Sequence, residues 1–151
     1  MTNITPLIES RFDDFVRLIY ALADYEHLDR PDAAAVERLR VDAFGPRPRF
    51  EAALAQDEGG RAVGYAIWFE TYSTFLARPT MYLEDLFVLE EARGSGAGRM
   101  LFAHVHELGR ERQCGRMDWQ VLEWNTLARD FYKRLDAQWM KEWLSYRLTY
   151  E

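Results

Sequence analysis

A glycine-rich turn between an apolar stretch and a helical pattern constrains this chain more than any other feature. Residues 81–88 are mostly aromatic and aliphatic, which predicts a strand. Residues 98–112 repeat Leu and Val at the spacing of one helix face, which predicts an amphipathic helix. Three glycines lie within 94–98, between the two patterns. The sequence therefore predicts a strand, a tight turn and a helix in immediate succession.

Such a turn can bind an anion. The first N–H groups of a helix have no intrahelical partner, and the helix dipole places partial positive charge there. Glycines at 94, 96 and 98 let these amides approach a ligand closely, and Arg93 and Arg99 add positive charge on either side. The pattern favours a pyrophosphate group as the ligand. An ordinary strand-to-helix connection has the same composition and remains the alternative.

Two common phosphate-binding turns do not fit. The turn does not end in Lys followed by Ser or Thr, and its glycine spacing differs from the dinucleotide fingerprint. The run Arg93-x-x-Gly96-x-Gly98 resembles the acyl-CoA signature of the GNAT superfamily of N-acetyltransferases. The resemblance implies acetyl-CoA as co-substrate and a pyrophosphate held by Arg93, Gly94, Ser95, Gly96, Ala97, Gly98 and Arg99.

Composition sets further limits. With 151 residues, the chain is expected to form one domain over 1–151. Its net charge of −6 argues against a nucleic-acid partner and is compatible with a cationic substrate. No long apolar run or secretion leader is visible, so we expect a cytoplasmic protein that does not enter the membrane. Cys114 is the single cysteine, and the three histidines lack metal-ligand spacing, so no metal is expected.

The order of the predicted elements indicates an α/β domain with a mixed sheet. A strand near 3–8 is followed by two helices, and strands flank a hairpin turn at 57–60. Residues 71–80 are predicted as a loop before the central strand. A strand near 116–122, a helix ending near 135 and two strands within 139–150 complete the prediction.

Three further runs narrow the resemblance. Tyr-Leu-Glu-Asp at 82–85, Glu-Trp-Asn at 123–125 and Phe-Tyr-Lys-Arg at 131–134 resemble the spermidine/spermine (diamine) acetyltransferase branch, which includes thialysine acetyltransferases. The resemblance implies a mostly antiparallel mixed sheet of about seven strands, flanked by about four helices. It also implies acyl-CoA between splayed strands four and five, a small amine substrate that attacks directly in a ternary complex, and a homodimer.

The chemistry of amine acetylation suggests which residues act. An alkylammonium must lose a proton before its nitrogen attacks a thioester, and a nearby carboxylate can take that proton. The resemblance makes Glu84 the base or a water-holding residue that also contacts substrate, and Tyr132 the acid that protonates the departing sulfur. A solvated or arginine-paired Glu84 and a core Tyr132 are the alternatives. Strand alternation directs Asp85 to the face opposite Glu84, so Asp85 is left out.

The remaining site residues also follow from the resemblance. The backbone of Leu86, Phe87 and Val88 would pair with pantetheine amides, and Asn125 would hold pantetheine, cap a helix, or do both. Substrate contacts are expected from Tyr25, Glu26 and Asp118 besides Glu84.

Two departures from the branch leave the substrate open. Leu144 stands where the branch has an acidic residue, and Asp136 stands where a glycine is usual after Phe-Tyr-Lys-Arg. A shorter amine or an amino-acid-like substrate, such as thialysine or lysine, is therefore as consistent as a polyamine. Peptide or protein N-acetylation and a non-catalytic acyl-CoA-binding module are further alternatives.

Overall fold

The computed structural model describes residues 1–150, which group into two compact units. The larger unit, Met1–Trp119, holds five strands and three α-helices. The strands are β1 (Asn3–Pro6), β2 (Glu51–Gln56), β3 (Ala62–Ser73), β4 (Arg78–Val88) and β5 (Arg116–Trp119), and the helices are α1 (Phe12–Tyr25), α2 (Ala33–Phe44) and α3 (Ala97–Glu111). The second unit begins at Gln120 and holds α4 (Thr126–Arg134).

The strands form one mixed sheet in the order β1-β2-β3-β4-β5. Neighbouring strands are antiparallel from β1 to β4, whereas β5 pairs with β4 in parallel. The predicted α/β class and the mostly antiparallel mixed sheet are therefore confirmed.

The two faces of the sheet bury two apolar cores. On one face, Phe12, Phe15 and Leu18 of α1 pack against Tyr65 and other side chains, and each of these four is at most 1% exposed. On the other face, residues of α3 that share one side of the helix, including Leu101 and Val105, are fully buried against the sheet. Alternating side chains of β3 supply both cores, as the period of two along a strand requires.

Gly64 of β3 permits a close approach between layers. A Cβ at this position would lie 2.8 Å from the Phe87 carbonyl oxygen and 3.3 Å from Leu101 Cδ1. Any larger residue would therefore push β4 and α3 away.

The two strands predicted within 139–150 are not formed in the described residues, so the sheet has five strands there instead of about seven. The alternation of apolar and polar residues suggested strands, but a strand also needs a neighbouring backbone to pair with. In the structure Trp143 is 75% exposed and Tyr146 is 91% exposed.

The loop predicted at 71–80 is shorter in the structure than expected. Strand β3 continues to Ser73, and β4 already begins at Arg78, so the two strands form a long hairpin. β5 is shorter than expected and ends at Trp119. None of the helices within residues 1–150 is long and apolar enough to cross a membrane.

Within the second unit, both ends of α4 are capped. The side chain of Asn125 accepts a hydrogen bond of 3.1 Å from the Ala128 N–H at the first turn. At the other end, Asp136 has a φ of 58°, and the Ala137 N–H donates to the Tyr132 carbonyl. This left-handed position explains why a glycine suits it, and aspartate is among the residues that tolerate it.

Candidate active site

The glycine turn leads directly into α3. Gly94 and Gly96 have φ values of +81° and +89°, and Gly96 is the residue that precedes the first helical residue, Ala97. A Cβ at either glycine would meet no atom within 4 Å, so the conformation, not crowding, is what favours glycine. The Ser95 hydroxyl donates a 2.6 Å hydrogen bond to the Ala92 carbonyl and fixes the turn. The first helical amide, the Ala97 N–H, donates to the Ser95 hydroxyl oxygen at 3.4 Å, and the space beside both glycines is open.

Arg93 links the end of α1 to β4. Its guanidinium carbon lies 5.0 Å from the ring centroid of Tyr25 and 6.0 Å from that of Phe87. Its Nε donates to the Val88 carbonyl at 3.3 Å. Arg99, in contrast, is exposed in the first turn of α3. Arg99 is therefore the more available positive charge at the turn, whereas Arg93 is engaged with the aromatic rings.

The edge of β4 that faces β5 is unpaired over its second half. The parallel ladder with β5 ends at the pair Leu83 and Trp119, yet β4 continues to Val88. In the part of the chain that the structure describes, no strand pairs with β4 along this edge beyond Leu83. An extended ligand can add to such an edge through backbone hydrogen bonds. Leu86, Phe87 and Val88 lie on this stretch, next to the glycine turn.

A β-bulge lies where β4 leaves β5. The register with β3 pairs Trp68 with Leu83 but Ile67 with Asp85, so Glu84 is the extra residue. The bulge breaks the alternation of side chains. Asp85 consequently lies on the face of Tyr65, opposite the face that buries Leu83. Strand alternation alone therefore does not fix the faces of Glu84 and Asp85 relative to each other.

Four carboxylates of the larger unit lie near the bulge, and the charges of three of them shift the pKa of the fourth, Asp85, or of Tyr82. Burial raises the pKa of Asp85 to about 6; the charges of Glu84 and Glu26 add to the rise, and a hydrogen bond from Tyr65 opposes it. Burial also raises the pKa of Glu26 at the end of α1. Burial and the charges of Glu84 and Asp118 raise the pKa of Tyr82.

The substrate-contacting residues predicted from the sequence lie in the acidic region near the bulge. Tyr25, Glu26, Glu84 and Asp118 belong to this acidic region, as their mutual effects on pKa and the ring contacts of Tyr25 indicate. Asp118 is exposed, pairs in register with Tyr82, and forms a 3.5 Å ion pair with Arg116. Sequence reasoning set Asp85 aside and did not consider Tyr65, its hydrogen-bond partner; two adjacent acids within an apolar strand were the available signal.

The second unit carries the other two predicted residues. Asn125 is buried and caps α4, so the capping role is present. Tyr132 is partly buried within α4, and its ring meets the Phe131 ring edge-on at 5.4 Å.

Neither a metal site nor a separate cavity accounts for the predicted site residues. Within residues 1–150, no three His, Cys, Asp or Glu side chains are grouped closely enough to hold a metal ion. A cavity of about 430 Å³ lies between α1 and α2, but none of the predicted site residues lines it. Its lining includes Arg30, whose guanidinium is bound to Asp24 at 2.6 Å and stacks over Tyr20 at 5.0 Å.

The fold and the turn together are those of an acyltransferase: a mixed sheet in which β4 continues beyond its pairing with β5, and a glycine turn that leads into a helix N-terminus. The sequence profile of the acetyltransferase (GNAT) family matches residues 14–137. The chain therefore belongs to the GNAT acetyltransferase family and is an enzyme of that family.

Similar proteins support the branch as well as the family. The chain is 35% identical to a thialysine N-epsilon-acetyltransferase of Mus musculus, over 99% of this chain and 94% of that protein. It is 38% identical to an L-ornithine N5-acetyltransferase of Arabidopsis thaliana, over 57% of this chain and 38% of that protein. Its fold matches the structure of AAC(6')-Iy in complex with a bisubstrate analogue of CoA, with a TM-score of 0.78, 21% identity and 99% of each chain covered.

Proposed function

We propose that this protein transfers an acetyl group from acetyl-CoA to a primary amine of a small cationic substrate. The substrate class is an amino-acid-like amine, such as thialysine, lysine or ornithine, or a di- or polyamine. The observation that carries the proposal is the acidic region at the β4 bulge, which includes Glu26, Glu84 and Asp85 and adjoins an unpaired strand edge. The mouse and Arabidopsis relatives act on such amines by name, which supports this class.

The turn and the edge of β4 fit an acyl-CoA. The pyrophosphate would lie against Gly94 to Arg99, where the space beside Gly94 and Gly96 is open and Arg99 adds charge. The backbone of Leu86 to Val88 would pair with the pantetheine amides as an added strand, although the Val88 carbonyl already accepts from Arg93. When bound, acetyl-CoA supplies a thioester whose carbonyl carbon accepts the amine nitrogen.

Glu84 and Tyr132 would handle the protons in a direct attack. Glu84 is exposed at the bulge and, among residues 1–150, forms no ion pair with arginine or lysine, so its carboxylate is available to accept a proton, directly or through one water. Tyr132 would donate a proton to the departing thiolate. Asn125 would hold pantetheine in addition to capping α4.

The first experiment measures thiol release from acetyl-CoA by the full chain against a panel of amines. The panel contains thialysine, lysine, ornithine, putrescine, spermidine, spermine and a few peptides. Release with thialysine, lysine or ornithine supports an amino-acid-like substrate and fits the departure at Leu144. Release with spermidine or spermine would instead favour polyamines.

Two outcomes would overturn the proposal. Turnover with peptides alone would favour a peptide or protein N-acetyltransferase. Binding of acetyl-CoA without thiol release from any amine would favour a non-catalytic acyl-CoA-binding module.

Three properties of the whole protein are part of the same proposal. One family profile matches across both compact units, which supports a single acetyltransferase domain over 1–151. The exposed aromatic side chains within 139–150 support a homodimer that covers them. The single cysteine and the acetyl-CoA requirement support a cytoplasmic location.

A further inference from the structure

Asp85 differs from the other carboxylates near the bulge because a buried tyrosine fixes its orientation. The Tyr65 hydroxyl donates a 2.9 Å hydrogen bond to Asp85 Oδ2. Tyr65 is fully buried between α1 and the sheet, where its ring contacts Phe15 and Phe87 at 5.5 and 6.5 Å. The donor is thus rigid, and it fixes the orientation of the carboxylate it binds.

Tyr65 occupies only part of the hydrogen-bonding capacity of Asp85. A carboxylate has two oxygens and about four acceptor positions. In residues 1–150, no arginine or lysine forms an ion pair with Asp85, Glu84 or Glu26. The second oxygen, Oδ1, forms no hydrogen bond within those residues. These three carboxylates therefore have no arginine or lysine partner, and the ammonium group of a substrate would provide the missing positive charge.

We propose that Asp85, oriented by Tyr65, is a second carboxylate of the acceptor site that binds the substrate ammonium before Glu84 removes its proton. The inference rests on the function proposed above and adds a residue pair to it. Asp85 touches the substrate, whereas Tyr65 acts through Asp85 and is a positioning residue. Asp85 lies on the face of Tyr65 and directly follows Glu84, the extra residue of the bulge.

The pair also predicts how amine binding depends on pH. Glu26 at the end of α1 and Glu84 on β4 raise the pKa of Asp85, burial raises it most, and Tyr65 on β3 lowers it. Arg93 adds a positive charge over the Phe87 ring. Asp85 ionises near pH 6, so binding of an ammonium should strengthen as the pH rises through that value.

The test uses the full chain and two substitutions of the pair. Asp85→Asn keeps an oxygen that accepts from Tyr65 but removes the charge, and Tyr65→Phe removes only the hydroxyl. Tyr72→Phe is the matched control, because that tyrosine is 63% exposed on the β3–β4 hairpin. The readouts are KM for thialysine and for acetyl-CoA from pH 5 to 9, and calorimetric binding of thialysine.

Asp85→Asn is expected to raise the thialysine KM by about 10- to 100-fold, the usual range for one lost hydrogen bond to a charged group. The KM for acetyl-CoA should not change, and the inflection of kcat/KM near pH 6 should disappear. Tyr65→Phe should raise the thialysine KM less and move that inflection to higher pH, because the hydroxyl no longer lowers the Asp85 pKa. Tyr72→Phe should behave as the unsubstituted protein.

An unchanged thialysine KM and an unchanged acidic limb in Asp85→Asn would overturn the inference while leaving the acetyltransferase function intact. Calorimetry distinguishes a failure of this inference from a failure of the proposed acetyltransferase function. If the unsubstituted protein binds thialysine without turnover, loss of binding in Asp85→Asn still supports the inference and the catalytic proposal alone fails. If the unsubstituted protein binds none of the amines in the panel, both are overturned.

Discussion

At the scale of single residues, Asp85 lowers the stability of the fold at neutral pH. Its carboxyl has an ordinary pKa of 3.8, which burial chiefly raises to about 6 in the folded chain. A group whose pKa rises on folding contributes stability that is complete below the unfolded value and lost as the pH rises through the folded value. The ionised form therefore destabilises the protein above about pH 6, by about 2 kcal/mol after allowance for partial exposure.

Asp85→Asn should consequently raise the melting temperature at pH 8 by about 4–8 °C. The advantage should become small near pH 4, where the aspartate is protonated in the folded state and about half protonated in the unfolded state. Scanning calorimetry between pH 4 and 8 measures this, with the exposed Asp130→Asn as the control. A melting temperature at pH 8 no higher than that of the unsubstituted protein would contradict the burial argument.

Glu84→Gln should lower kcat by about 10²- to 10⁴-fold, the usual contribution of a general base. The glutamine keeps the size of the side chain but cannot accept the amine proton, so acetyl-CoA affinity should remain. Steady-state kinetics and acetyl-CoA titration measure the two quantities. Glu107→Gln on the exposed face of α3 is the matched control, and a kcat equal to the control's would remove Glu84 as the base.

Tyr132→Phe tests the proton donor in the same way. Without the hydroxyl, the leaving thiolate loses its acid, so kcat should fall by about 10²-fold or more while the acetyl-CoA dissociation constant stays constant. Tyr146→Phe serves as the control, since Tyr146 is 91% exposed. If both variants turn over at the same rate, another group protonates the sulfur.

At the scale of elements, the start of α3 depends on glycine at 96. Its φ of +89° costs an L-residue about 1–2 kcal/mol, so Gly96→Ala should loosen the turn and weaken acetyl-CoA binding by about tenfold. Gly59→Ala is the matched control, because Gly59 has no positive φ and its Cβ would meet only the Asp57 side chain at 3.5 Å. Titration with acetyl-CoA compares the two, and equal affinities would contradict a role for the turn.

The elements also reveal what the sequence could predict and why. The turn, α3 and the long strands followed from periodicity and glycine spacing, because these patterns reflect local conformational preference and burial. The bulge at Glu84 was not predictable in this way, since it arises from the register between β3 and β4. The strands expected within 139–150 failed for a related reason, because alternation does not supply a pairing partner. The pairing of Asp85 with Tyr65, 20 residues apart, depended on that same register.

At the scale of the whole molecule, apolar side chains within 139–150 remain uncovered. Trp139 and Trp143 are each 75% exposed, Leu148 is 87% exposed and Tyr150 is 92% exposed. Contiguous exposed apolar surface commonly marks an interface between proteins. The homodimer proposed above would bury this segment.

Light scattering after size exclusion should therefore give twice the chain mass of 17.8 kDa. Trp143→Ser should shift the protein toward the monomer, because a large aromatic contact is lost from the interface. Phe75→Ser is the control, since Phe75 is fully exposed on the β3–β4 hairpin. A monomer at all concentrations would contradict the dimer, and an equal response to both substitutions would place the interface elsewhere.

The bulge has a consequence for how such a chain tolerates insertion and deletion. If Glu84 were deleted, Leu83 and Asp85 would become ordinary neighbours in a regular ladder, and each would keep the face it has now. Neither core would lose a side chain. The two cores thus do not depend on Glu84. What the extra residue adds is a second carboxylate beside Asp85 at the unpaired edge of β4, where the proposed acceptor amine would bind.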